Sequence, residues 1–188
     1  MPTAMKKTVF IDIDTQHDFM GKNSPFYVKD SEEILPNLKS LTEFASSKEL
    51  PVFSSFDNIS REKSWKESKM PQTLIENSKF IQDKKLHDLD ALKNHLSMVF
   101  EKREHSVFSN PNFIDSLENV RKAFVYGVAT DFCVHEAVSG LIDSGIETFV
   151  VKDAVKPMSE SYGKGQVERM QRKGAKFITT SDLLNSNL

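Results

Sequence analysis

Short apolar runs alternate along this chain with longer stretches in which apolar residues return every three or four positions. Thr8–Asp14 (TVFIDID) reads as a buried strand ending in acids, and Pro51–Phe56, Leu96–Lys102, Ala123–Val128, Glu147–Val151 and Ala175–Ile178 read as five more strands. Between them, Ser31–Lys48 sets Ile34, Leu35, Leu38, Leu41 and Ala45 on one helical face. Asp30 and Ser31 are its capping candidates, and Pro36 suits a helix proper that begins near Ile34. Asn112–Val120 predicts a short helix. Asp131–Ser144 predicts a longer one, with Val134, Val138, Leu141 and Ile142 as its buried stripe and Gly145 as its stop; Ser159–Lys173 predicts another, ending at Gly174. Asn58–Glu76 is polar and weakly periodic, a loop with a short helix. Strands alternating with helices predict a three-layer α/β fold: a mostly parallel, six-stranded sheet with helices on both faces. No repeat, low-complexity tract or linker divides the chain, so residues 1–188 read as one domain.

Charge narrows the function. A net charge of −2, with Lys and Arg scattered among Asp and Glu, gives no footprint for nucleic acid or an acidic membrane. No apolar run approaches the ~20 residues that span a bilayer. No signal-peptide pattern precedes the first strand, and a single cysteine forms no internal disulfide, so a cytoplasmic location is expected.

Ligands of open parallel sheets gather outside the carboxyl ends of the strands. Residues at or just past those ends include Asp12 and Asp14, Phe56 and Asp57, Glu101 and Lys102, Ala129 to Cys133, and Lys152 and Asp153. Cys133 falls in the first turn of the helix that follows the fourth strand, where unpaired N–H groups and the helix dipole favour a thiolate. By position alone it reads equally as a nucleophile or as a small buried hydrophobe. Asp14 could exchange a proton with such a thiol or simply cap a turn, and Lys102 could steady both or merely snorkel to solvent.

Four segments carry a family resemblance. They are Asp14-Thr15-Gln16-His17-Asp18-Phe19, Lys102 with the following Ser106-Val107-Phe108, Gly127-Val128-Ala129-Thr130-Asp131-Phe132-Cys133-Val134, and Asp153-Ala154-Val155. In this order, from about residue 7 to about residue 184, the chain resembles the isochorismatase-like cysteine hydrolases, the superfamily that includes nicotinamidases. The resemblance implies a catalytic triad of Asp14, Lys102 and Cys133, a cis peptide between Val128 and Ala129, and an oxyanion hole formed by the N–H groups of Ala129 and Cys133. The strands of Asp14 and Lys102 are then expected side by side. Gln16 and Asp18 read as supports of the first loop.

The chain departs from the nicotinamidase pattern at the metal site. There a D-x-H motif follows the second strand, whereas Asp57 is followed here by Asn58 and Ile59, and Ser60–Ser78 contains no histidine. No metal or other cofactor is expected. His87, His95 and His105 read as solvated or structural, His17 lies in the first loop, and His135, two residues past Cys133, faces another side of its helix. Phe19, Phe56, Trp65 and Phe132 could wall a pocket for a planar substrate, or simply pack the core. The expected activity is metal-independent hydrolysis of a small amide. Vinyl-ether hydrolysis of isochorismate type and a non-catalytic scaffold are the alternatives. A homo-oligomer acting on a small molecule is expected from the resemblance.

Overall fold

Strands buried on both faces need no alternation of polar and apolar residues, and β1 (Thr8–Ile13) is of this kind, its last five residues all buried. The computed structural model describes residues 8–24, 26–57, 97–102 and 104–188. Its other strands are β2 (Val52–Asp57), β3 (Ser97–Lys102), β4 (Lys122–Val128), β5 (Glu147–Lys156) and β6 (Lys176–Ile178). They form one sheet in the order β3-β2-β1-β4-β5-β6, with every neighbouring pair parallel. Among the described residues the helices are α1 (His17–Met20), α2 (Leu35–Ser47), α3 (Pro111–Ser116), α4 (His135–Asp143), α5 (Glu160–Lys173) and α6 (Thr180–Leu184).

Each face of the sheet carries its own core. Val9, Ile11 and Ile13 pack with Val138 and Leu141 of α4 and Met170 of α5. Phe10, Phe124 and Tyr126 pack on the other side with Leu38, Leu41 and Ala45 of α2 and Leu183 of α6. The three-layer α/β architecture expected from the sequence is present.

Local departures have local causes. A 3-10 turn, Ser31–Ile34, precedes α2 and leaves Pro36 in the helix's first turn, where its missing N–H costs nothing. Asp30 does not cap by its side chain; it turns the chain at a φ of 58°. β5 runs five residues beyond its expected end because, past a bulge, Val155 and Lys156 pair again with Gly127 and Val128. Asp153 therefore lies on a strand, and its Oδ1 accepts from the N–H of Thr180 at 2.7 Å and from its hydroxyl at 2.9 Å, tying β5 to α6.

The chain winds outward from β1 to β3, then returns and winds the other way from β4 to β6, so the crevice between β1 and β4 is the sheet's reversal point. Gly127 makes close approach possible there. It pairs with Ile13 and has a φ of 114°, and a Cβ on it would lie 2.1 Å from the Ile13 carbonyl oxygen. No described helix is long and apolar enough to cross a membrane.

Candidate active site

Strand ends deliver the polar residues to this crevice. Directly after β1, Asp14 turns the chain at a φ of 50°, a left-handed conformation that aspartate tolerates better than most residues. Ser55 of β2 secures it twice: the hydroxyl donates to Asp14 Oδ1 at 2.7 Å and accepts from the Asp14 N–H at 3.2 Å. Gln16 braces the same loop. Its side-chain amide accepts from the Asp57 N–H at 2.9 Å and donates to the Asp57 carbonyl at 3.0 Å, while also donating to Asp18 Oδ2 at 3.0 Å.

Lys102 arrives from farther away than expected. β1 and β3 are not neighbours, because β2 lies between them. Adjacent strands stand about 4.8 Å apart, so only a long side chain can bridge the gap. Lys102 sits opposite Asp57 in the β2–β3 ladder, and its Nζ reaches Asp14 Oδ2 at 2.9 Å and Asp57 Oδ2 at 3.1 Å. The same ammonium donates to the Glu104 carbonyl at 3.0 Å and lies 3.4 Å from Cys133 Sγ. The side chains of Lys102 and Asp14 are both wholly buried. Burial by itself would pull the lysine toward neutrality, but the charges of Asp14, Cys133 and Asp57 outweigh it and hold its pKa above the ordinary value. Burial also pushes the Asp57 carboxyl up, Lys102 opposing and Asp14 reinforcing the shift.

Cys133 does not lie in the first turn of an α-helix. The Val134 N–H reaches back five residues to the Ala129 carbonyl, which the Phe132 N–H shares, each at 3.1 Å. Thr130–Val134 is thus a π-helical turn, and α4 starts only at His135. The peptide between Val128 and Ala129 is cis. Asp131 fastens the turn to the start of α5, accepting from the N–H groups of Met158 at 2.8 Å and Ser159 at 2.9 Å. Burial raises the pKa of the Cys133 thiol, the Asp14 charge raises it further, and Lys102 offsets only part. These effects work against the thiolate expected at a helix start, because one ammonium is shared between two carboxylates and the sulfur.

Beside this cluster opens a cavity of ≈ 460 Å³, lined by Asp57, Glu104, His105, Ser106 and Glu136 among the described residues. His105 is exposed, its Nδ1 is 3.9 Å from Cys133 Sγ, and its ring packs on Phe132 with centroids 5.4 Å apart. Read from sequence as solvated or structural, His105 is indeed exposed, but its closeness to the thiol was not foreseen. Its position three residues after Lys102, on a loop bound to stay near the same rim, was the available signal. His135 instead pairs with Glu136, 3.5 Å from its carboxylate.

The aromatic residues divide. Phe132 stands at the site between His105 and Tyr162, whose ring centroid lies 5.8 Å from its own. Phe19 packs against the α2-side core, and Phe56 is buried on the β2 face that also carries Val52. Trp65, His87 and His95 lie outside the described residues. Asp12, two residues before Asp14, points to the opposite face. Its Oδ2 accepts from the Thr15 hydroxyl at 3.0 Å, and burial pushes its carboxyl up to about 7.

Asp57, His105 and Cys133 present donor atoms within 4.8 Å of one another. They do not suit the resident metal of the nicotinamidase pattern. Asp57 Oδ2 already receives the Lys102 ammonium, beside which a dication is repelled, and one of the three donors is the thiol itself. Where that pattern has a histidine, residue 59 is isoleucine.

Fold and cluster together define a doubly wound parallel α/β protein with an acid, an ammonium and a thiol at the sheet's reversal point. The chain belongs to the isochorismatase family, a family of hydrolases: the isochorismatase domain model matches residues 8–182. Isochorismatase family protein 1A of Dictyostelium discoideum is 24% identical over 99 residues, which span 51% of this chain and 48% of that protein. The match thus covers about half the length of this curated relative. Among solved structures, the nicotinamidase of Bacillus subtilis superposes with a TM-score of 0.75 at 17% identity, covering 92% of this chain and 99% of its own. The pyrazinamidase of Pyrococcus horikoshii, solved in complex with zinc, gives 0.71 at 17% identity over 93% and 99%. A ribonuclease from Caenorhabditis elegans gives 0.72 at 19% identity over 98% of this chain and 82% of its own. At these identities the superpositions establish the fold alone.

Proposed function

We propose that the protein is a cysteine hydrolase that cleaves the C–N bond of a small amide without a metal ion. The observation that carries this reading is the buried Lys102 ammonium, 2.9 Å from Asp14 and 3.4 Å from the Cys133 sulfur. It joins an acid and a thiol that the fold would otherwise have no reason to bury together. Asp14 takes the thiol proton as the sulfur adds to the amide carbonyl. A C–S bond forms, and the carbonyl π pair moves to oxygen, where the N–H groups of Ala129 and Cys133 receive it at the mouth of the turn. Collapse of this adduct breaks the C–N bond, and Asp14 returns its proton to the departing ammonia or amine. Lys102 stays cationic throughout and steadies the negative charge passing between Asp14 and sulfur. Water then cleaves the thioester, giving the carboxylic acid and the free thiol. Phe132 offers a flat wall for a planar acyl group.

The test is ammonia release from nicotinamide, pyrazinamide, ureido and N-carbamoyl compounds after exhaustive chelation. At least one compound is expected to be hydrolysed by the chelated wild type, and Cys133→Ala should lower turnover by about a thousandfold or more. Substantial turnover by Cys133→Ala would remove covalent thiol catalysis. Stoichiometric zinc, lost together with activity, would remove the metal-free reading.

A further inference from the structure

We infer that His105 is a second catalytic base, acting on the water that cleaves the thioester; this role rests on the cysteine-hydrolase reading above. The sulfur of Cys133 has two sides. On the inner side are Lys102 and Asp14, both wholly buried; Asp14 Oδ1 receives the Ser55 hydroxyl, while Oδ2 lies 2.9 Å from the Lys102 ammonium without a hydrogen-bond partner. On the outer side lies the cavity, and there the exposed imidazole of His105 stands 3.9 Å from the sulfur. The second half of the reaction needs a water molecule, and that water enters from the cavity. The exposed imidazole meets that water directly, whereas Asp14 is wholly buried.

His105 is also held in place. The Lys102 ammonium binds the carbonyl of the preceding residue, Glu104, at 3.0 Å. The following residue, Ser106, caps the next turn by accepting from the Phe108 N–H at 3.3 Å. The ring rests against Phe132, one residue before the nucleophile, and Phe132 in turn packs on Tyr162. The lysine that neutralises Asp14 thereby also anchors the loop that presents the imidazole.

The step balances within the protein. Water adds to the thioester carbon, forming a C–O bond, while the imidazole of His105 takes its proton. The C–S bond breaks with its electron pair on sulfur, and the imidazolium returns the proton to give the thiol and a carboxylic acid. No oxidant, reductant or further reactant is required.

The experiment uses p-nitrophenyl acetate as acyl donor, following p-nitrophenolate release by absorbance and acetylation of Cys133 by intact mass. Wild type should show a burst of less than one equivalent, matched by a partial occupancy of acetyl-Cys133, followed by steady turnover. His105→Gln should keep the acylation rate, raise the burst toward one equivalent as acetyl-Cys133 accumulates, and turn over on the order of 100-fold more slowly, the usual worth of a general base. Hydrolysis of acetyl-Cys133 at the wild-type rate in His105→Gln would overturn the assignment. So would loss of the burst itself, which would place His105 in acylation. A wild-type protein never acetylated at Cys133 would remove the cysteine-hydrolase reading and this role with it, a result distinct from either His105→Gln outcome.

Discussion

Lys102 is the residue on which the electrostatics of the site turns. Its single, wholly buried ammonium faces Asp14, Asp57 and the Cys133 sulfur. Lys102→Met keeps the apolar stem but leaves two carboxylates facing one another, so a loss of about 3–5 kcal/mol in stability is expected, measured by urea unfolding. With this ammonium gone, the thiol should also alkylate more slowly with iodoacetamide at neutral pH; unchanged stability and alkylation would show that the ammonium does neither job. Asp12 presents the opposite case, a buried acid with no cationic partner among the groups that shift it. Its folded pKa of about 7 lies above the ordinary aspartate value. Between those two pH values the unfolded chain releases a proton that the folded chain keeps. The contribution is therefore fully present at low pH, declines as pH rises, and levels off above about 7. Measured against Asp12→Asn, which lacks this proton, wild-type stability should fall by about 2–3 kcal/mol between about pH 5 and pH 8. Unfolding curves whose separation does not change with pH would show that Asp12 is ionised in the folded state.

At the scale of elements, the close contact of β1 with β4 is the tightest constraint. Gly127→Ala would press a methyl group into the Ile13 carbonyl and force a left-handed φ on a residue that disfavours it. A loss of about 3 kcal/mol or more is expected in chemical unfolding. Gly165→Ala in α5 is the control, since a Cβ there meets nothing within 4 Å and should stabilise by up to about 1 kcal/mol. A Gly127 variant as stable as wild type would mean that the strands part without cost. Elements of this kind were largely legible in the sequence, because long apolar runs and 3.6-residue stripes report burial directly. The π-helical turn at Thr130–Val134 was not, since one added residue per turn leaves the apolar pattern of a short segment almost unchanged. Nor was the extension of β5, whose Asp153 and Lys152 look like loop residues until the bulge restores pairing with β4.

At the scale of the molecule, periodicity names strands but not their neighbours, which is why β2 was not foreseen between β1 and β3. The motifs around Asp14, Lys102 and Cys133 were readable because each lies beside its own strand end. The nearness of His105 was not, because it arises from the path of a loop. The pairing of β1 with β4 has a consequence for how the site comes into being. Thr8 meets Lys122, and Ile13 meets Gly127, across more than a hundred intervening residues. Contacts of such long range carry a loop-closure cost before they contribute anything, so they tend to form slowly. A nascent chain that has already made β1, β2 and β3 holds an acid and an amine but has no partner for them. Cys133 joins them only when β4 docks, so the three groups of the proposed triad meet only in chains that have brought β4 onto β1.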